Sequence, residues 1–100
     1  MSIKAVKLVS GEELIGEVVH EEPGLEITLK NVLAIMMQRT QTGDLTVGFL
    51  PFAPYLGKGS SFSFELTKVI FVKEVDDQMK NNYNSIFGGI VAPVKQLITG

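Results

Sequence analysis

The chain has 100 residues, 45% of them hydrophobic, with a formal net charge of −2 and a pI near 5.3. That length fits one compact domain and leaves no room for two. The acidic balance is the wrong sign for holding nucleic acid through a broad basic face, and the lack of cysteine excludes disulfides, Cys-ligated zinc and thiol catalysis.

The opening residues, MSIKAVKLVS, are too interrupted by charge for a signal peptide. No apolar run approaches the roughly 20 residues of a membrane helix, so a soluble, cytoplasmic protein without a membrane partner is expected. Residues 3–9 read as a short strand with Val6 and Leu8 on one face. Ser10-Gly11 supplies a tight turn, and residues 14–20 return as a second strand. Gly16 is costly inside a regular strand, so it marks a sharp bend or a close backbone approach. Glu21-Glu22-Pro23-Gly24 is a turn by its chemistry. Leu25, Ile27 and Leu29 then alternate with Glu26, Thr28 and Lys30. From Val32 to Met37 the alternation gives way to a continuous apolar run, which requires cover on both faces from a closing sheet or another subunit.

Gln41-Thr42-Gly43-Asp44 is a hairpin signal, and Leu45, Val47 and Phe49 follow at period two. Residues 51–61 read as a strand end and a flexible loop. Phe62, Phe64 and Leu66 start another strand. Val69, Ile70, Phe71 and Val72 form a strand apolar on both sides, flanked by Lys68 and Lys73. Asp76 is a fair N-cap for a helix carrying Met79, Tyr83 and Ile86 or Phe87 on one side, and Gly88-Gly89 stops it. Residues 90–100 are apolar enough to dock, and Pro93 could open a second helical turn. These elements predict a mostly β fold: a strongly bent, antiparallel sheet or small open barrel with a C-terminal helix.

The spacing Gly11-x4-Gly16, Glu22, Leu25-x3-Leu29 and Val32 resembles the first motif of the Sm-like family. Residues 62–66 and 67–72 are a weaker counterpart of its second motif. The resemblance implies a five-stranded domain, here residues 1–75 with 45–61 as an enlarged hairpin and loop; the family's helix usually precedes the first strand, whereas here residues 76–100 are expected as a C-terminal helix and tail packed on the domain. It also implies a closed homo-oligomeric ring, of about five to seven copies, in which the fourth strand of one chain pairs with the fifth of the next. The edge strand at Val69, Ile70, Phe71 and Val72 would then be the subunit interface. An RNA-associated function follows, but through an altered site. The base-reading Asn of the family falls at Glu26, the stacking position at Gly24, and the Arg-Gly of the second motif at Glu65 and Leu66. Two carboxylates in the place of RNA-binding groups repel phosphate in a confined site. The alternative is a structural or protein-interaction ring that has lost RNA binding. So compact and divergent a version would suit a phage gene.

Other chemistry is sparse. His20 is the single histidine, which reads as a strand-end residue beside a solvated acidic turn. A ring of Glu26 or Glu65 could hold a hard cation, but exposed strand carboxylates are the plainer reading. Residues 57–61, GKGSS, lack the spacing of a phosphate loop. Met36 and Met37 read as core or interface residues, and Phe62 and Phe64 as core rather than base-stacking platforms. Lys4, Lys7, Lys30, Arg39, Lys58 and Lys68 are scattered along the chain. No nucleophile and base can be paired; neither an enzyme, a cofactor nor a metal is expected, and no small-molecule substrate suggests itself.

Overall fold

A computed structural model describes residues 2–53, 56 and 59–87. Its strands are β1 (Ile3–Leu8), β2 (Glu13–Glu22), β3 (Glu26–Arg39), β4 (Leu45–Pro51), β5 (Ser61–Glu65) and β6 (Val69–Glu74), followed by helix α1 (Asp77–Phe87). The strands form one antiparallel sheet in the order β4-β3-β2-β1-β6, with β5 also lying against β3. With 14 residues β3 is long enough to carry both neighbours: residues 26–30 pair with β5, and residues 33–39 with β4. The sheet is open. Among the described residues no strand pairs with the outer edges of β5 or β6, although a 3-10 turn, Leu66–Lys68, joins the two directly. The expected mostly β, bent open sheet with a C-terminal helix is therefore present. It has six strands, the sixth being β4, which the five-strand expectation places inside the enlarged hairpin.

The bend has a local cause. Between the pairs Ile15–Leu33 and Glu17–Lys30, β2 contributes only Gly16 where β3 contributes Asn31 and Val32. The extra residue is a bulge, which bends and twists the strand that carries it. Asn31 takes a φ of 52°, a left-handed conformation that asparagine adopts more readily than most residues. Gly16 lies buried opposite. A Cβ there would stand 3.1 Å from the Leu29 Cβ and 3.1 Å from the Lys30 carbonyl oxygen, so the glycine permits the two backbones to approach. Val19 is a second extra residue, this time on β2, between Val18–Leu29 and His20–Thr28.

The curled sheet buries both faces. Val6, Leu14, Ile27, Leu29 and Val32 form the core inside the curl, with Phe52, Phe62, Phe64, Val69 and Val72 packed against it. Ile3, Ile15, Leu33 and Tyr83 form a second core on the outer face, joined by Ile35, Phe49, Val75 and Met79. Leu14 and Ile15 are neighbours in sequence and serve opposite cores, as alternation along a strand dictates. Val32 and Leu33 do the same. The apolar run at 32–37 thus has its second face covered at its start by α1 of the same chain rather than by another subunit.

Helix α1 begins where the Asp76 carboxylate accepts a hydrogen bond of 2.9 Å from the Met79 backbone N–H, the N-cap arrangement expected from the sequence. Tyr83 is fully buried, and its hydroxyl donates to the Asn31 carbonyl at 2.6 Å. The helix is therefore tied to the bulge itself. No helix among the described residues is long and apolar enough to cross a membrane. Residues 88–100, with the expected Gly88-Gly89 stop and Pro93 turn, lie outside the described residues.

One alternation reading needs correction. Leu25 is 59% exposed, because β3 starts at Glu26 and Leu25 belongs to the preceding turn, where its N–H donates to the Glu22 carbonyl at 2.9 Å. Of the two readings of Met36 and Met37, core or interface, the core one does not hold: they are 40% and 56% exposed within the chain, on opposite faces of the β3–β4 hairpin where it extends beyond the two cores.

Candidate functional site

The four positions singled out at the two motifs come together at one end of the sheet. Gly24, with φ of 76°, is in the turn between β2 and β3, where Pro23 presets the first corner and glycine the left-handed second one. Glu26 opens β3 and lies directly opposite Glu65, the last residue of β5. Leu66 follows at the 3-10 turn, and its N–H donates to the Leu25 carbonyl at 2.8 Å. Separate sequence segments thus converge because β5 pairs with the start of β3.

The electrostatics of this end are acidic. Glu22 faces Glu26 across β2 and β3, and Glu26 faces Glu65 across β3 and β5. Cross-strand partners project on the same side of a sheet, so three carboxylates form a row, and like charges so placed repel. Among the described residues neither Glu26 nor Glu65 has an ion-pair partner. Glu22 has only the exposed His20, whose Nε2 is 3.5 Å from its Oε1. Nearby lysines are engaged elsewhere: Lys4 with Glu21 and Lys7 with Glu13, each at 3.4 Å. Arg39 donates to the Gly43 carbonyl at 3.0 Å in the distant hairpin turn. Lys68 and Lys73 are exposed without an ion pair among the described residues. Among the described residues no lysine or arginine is ion-paired with Glu22, Glu26 or Glu65.

The residues singled out for the interface divide by burial. Val69 and Val72 lean on the inner core, whereas Ile70 and Phe71 are 58% and 37% exposed. Phe71 opposes Lys7 and Val69 opposes Leu8, so Ile70 is an extra residue without a partner on β1. The strand is therefore not equally apolar on its two sides. A bulge in an edge strand shortens its regular pairing surface, here to residues 71–74.

Phe62 and Phe64 pack inward, and Phe52 meets Phe62 edge-on at a centroid distance of 5.0 Å. That is core packing. No group of three His, Asp or Glu residues among the described ones could hold a metal ion. In the GKGSS loop, Gly57 and Lys58 lie outside the described residues.

Three features carry no signal in sequence periodicity: the Asn31 bulge, its bond to Tyr83, and an apolar groove of about 300 Å³ beside the last turn of α1. A polar residue interrupting an apolar strand directly opposite a glycine is the hint that could have disclosed the first. No protein-family model matches the chain, and no curated protein sequence matches it.

Proposed function

We propose that the chain is a subunit of an Sm-like homo-oligomer in which β5 of one copy pairs with β6 of the next, and that the assembly is a protein-interaction scaffold. The reading rests on one observation: a sheet that curls but does not close, in which, among the described residues, the outer edges of β5 and β6 are unpaired on either side of a 3-10 turn, as is the outer edge of β4. Unpaired strand edges invite pairing with another chain. Head-to-tail contact between identical subunits covers the β5 and β6 edges at once, leaving β4 at the rim, and gives a finite ring where the rotation closes. The extra strand β4 makes β5 and β6 the counterparts of the family's fourth and fifth strands. Within such a ring the Glu22, Glu26 and Glu65 row recurs in every subunit and opposes phosphate, which favours a scaffold over a uridine-reading pore.

RNA association is the second reading. It is favoured by the convergence of Gly24, Glu26, Glu65 and Leu66 on one patch and by the exposed Lys68 and Lys73.

Light scattering of the full chain tests the assembly. A particle several times the 10.9 kDa chain mass is expected; a lone chain at every concentration would remove the reading. Titrating labelled single-stranded RNA separates the two functions. Absence of binding at low salt, where charge attraction is strongest, supports the scaffold, and salt-sensitive binding supports RNA association. In a ring of unchanged mass, Glu26→Asn combined with Glu65→Arg is expected to create or strengthen RNA binding. An affinity that does not move would show that these side chains do not face the bound strand.

A further inference from the structure

We propose that the outer edge of β4 pairs with the same edge of a second copy, antiparallel and related by a two-fold axis at Gly48. Among the described residues no strand lies beyond β4. Its sequence, LTVGFLP, makes it the one described strand without a charged residue. The other two open edges carry charge, at Glu65 of β5 and at Lys73 and Glu74 of β6. Charged side chains on an edge strand discourage the addition of a further strand. β4 lacks that protection, and a copy laid against it meets no like charge.

Backbone and side chains are in phase for this partner. The Phe52 N–H donates to the Val32 carbonyl at 3.2 Å and the Thr40 N–H to the Asp44 carbonyl at 2.8 Å. The register between β3 and β4 has no shift, so the even-numbered residues of β4 bond to β3. Leu45, Val47 and Phe49 therefore turn their N–H and C=O groups outward. Their side chains lie on the face of the outer core, which Ile35 and Phe49 join and where Met37 and Val47 are 56% and 39% exposed. With Gly48 on the axis, Val47 stands opposite Phe49 of the second copy. The row from Ile35 to Phe49 then continues into Val47 and Met37 of that copy, which covers the part of the apolar run that α1 does not reach. A register centred on Val47 would instead set Leu50 against an Asp44 carboxylate. One pair of seven-residue strands, about 24 Å long, is a small contact beside the roughly 800 Å² per partner of a standard stable interface. Where the chain forms a ring, every subunit offers one such edge, and the contacts joining two rings would act together.

The chain has no cysteine, so engineered thiols report cleanly. In this register Thr46 stands opposite Leu50 of the second copy in a non-hydrogen-bonded pair, with about 4.5 Å between Cα atoms, a separation a disulfide can bridge. Within one chain the two exposed positions are four residues apart on an extended strand, about 13 Å, and cannot be linked. The full chain carrying Thr46→Cys and Leu50→Cys is expected to give, on oxidation, a covalent species of two chains and no larger. It should form many-fold faster than with the control pair Thr42→Cys and Leu50→Cys. Linkage at the control rate would leave the edge to a strand of another protein and overturn the proposal, as would a ladder of larger covalent species. Adding Val47→Lys should bring linkage down to the control rate with the circular dichroism of the parent; unchanged linkage would contradict the register. Repeating the oxidation with Ile70→Lys separates this inference from the assembly reading. Two-chain linkage in a small particle sustains the β4 pair even where no ring forms, whereas a large particle without linkage leaves only the ring.

Discussion

Gly16, Asn31 and Tyr83 are the residues on which the shape of the molecule turns. A methyl group at Gly16 would meet Leu29 near its backbone and the carbonyl of Lys30, both at 3.1 Å, and neither can swing aside as a flexible side-chain tip could. Gly16→Ala is expected to cost about 1–3 kcal/mol, read as a lower urea midpoint at unchanged m-value. Tyr83→Phe removes the bond to the Asn31 carbonyl and leaves a part-buried acceptor without its partner, at about 1–2 kcal/mol. The same phenol gives a pH signature. Burial, and next the Glu17 carboxylate, push its pKa above the ordinary 10.0, partly offset by the Glu17 backbone N–H directed at the phenol oxygen. The folded state therefore favours the neutral phenol, and the unfolded chain ionises first. The contribution is complete below pH 10.0 and is lost as pH climbs from there toward the folded-state value. The stability gap between the parent protein and Tyr83→Phe should accordingly narrow in strongly alkaline buffer; a constant gap in denaturant titrations would contradict this assignment.

Among the elements, β3 and α1 depend on each other. β3 changes partners at its bulge, from β5 to β4, and the bulge presents the carbonyl to which α1 is tied. The Asn31 amide also donates to the Glu17 carboxylate at 3.2 Å, bracing the bulge from β2. The helix has 11 residues, too few to be stable without docking, so its cap and its buried face both matter. Asp76→Ala is expected to cost about 1 kcal/mol, visible as a lower thermal midpoint with the sheet intact below it. Strand and helix existence was largely legible here because period and end signals are local: Leu45, Val47 and Phe49 announce β4, and Asp76 announces α1. Phase was less legible. Leu29 and Val32 share the inner core although they are three residues apart, since Asn31 inserts the extra step. Simple alternation also assigns Leu25 to the core, where it is not.

At the scale of the whole molecule, the proposed assembly pairs the outer edge of β5 in one copy with that of β6 in the next. Ile70 is the exposed extra residue of β6, whereas Val72 is packed against the inner core. A charge at either position is expected to disrupt assembly on the sequence reading, but only Ile70 offers a clean test, because a charge at Val72 also disturbs the subunit's own core. Ile70→Lys should reduce the particle to a smaller mass by light scattering while keeping the circular dichroism of the parent. An unaltered mass would argue against pairing along β6. The carboxylate row belongs to this scale too, for Glu22, Glu26 and Glu65 become neighbours only when three strands are laid side by side.

By itself the sequence settled the kind and order of the elements, the turns at Gly11, Gly24 and Gly43, the helix cap and a bend or close approach at Gly16. Each of these follows from backbone preference or from apolar spacing within a few residues. Only the tertiary structure decided that α1 covers the outer face, that Met36, Met37 and Ile70 stay exposed, and that Glu26 stands opposite Glu65. Those outcomes depend on strand register and on two bulges, which shift side chains from one face to the other. Register is an agreement between segments distant in the chain, and no single segment carries it.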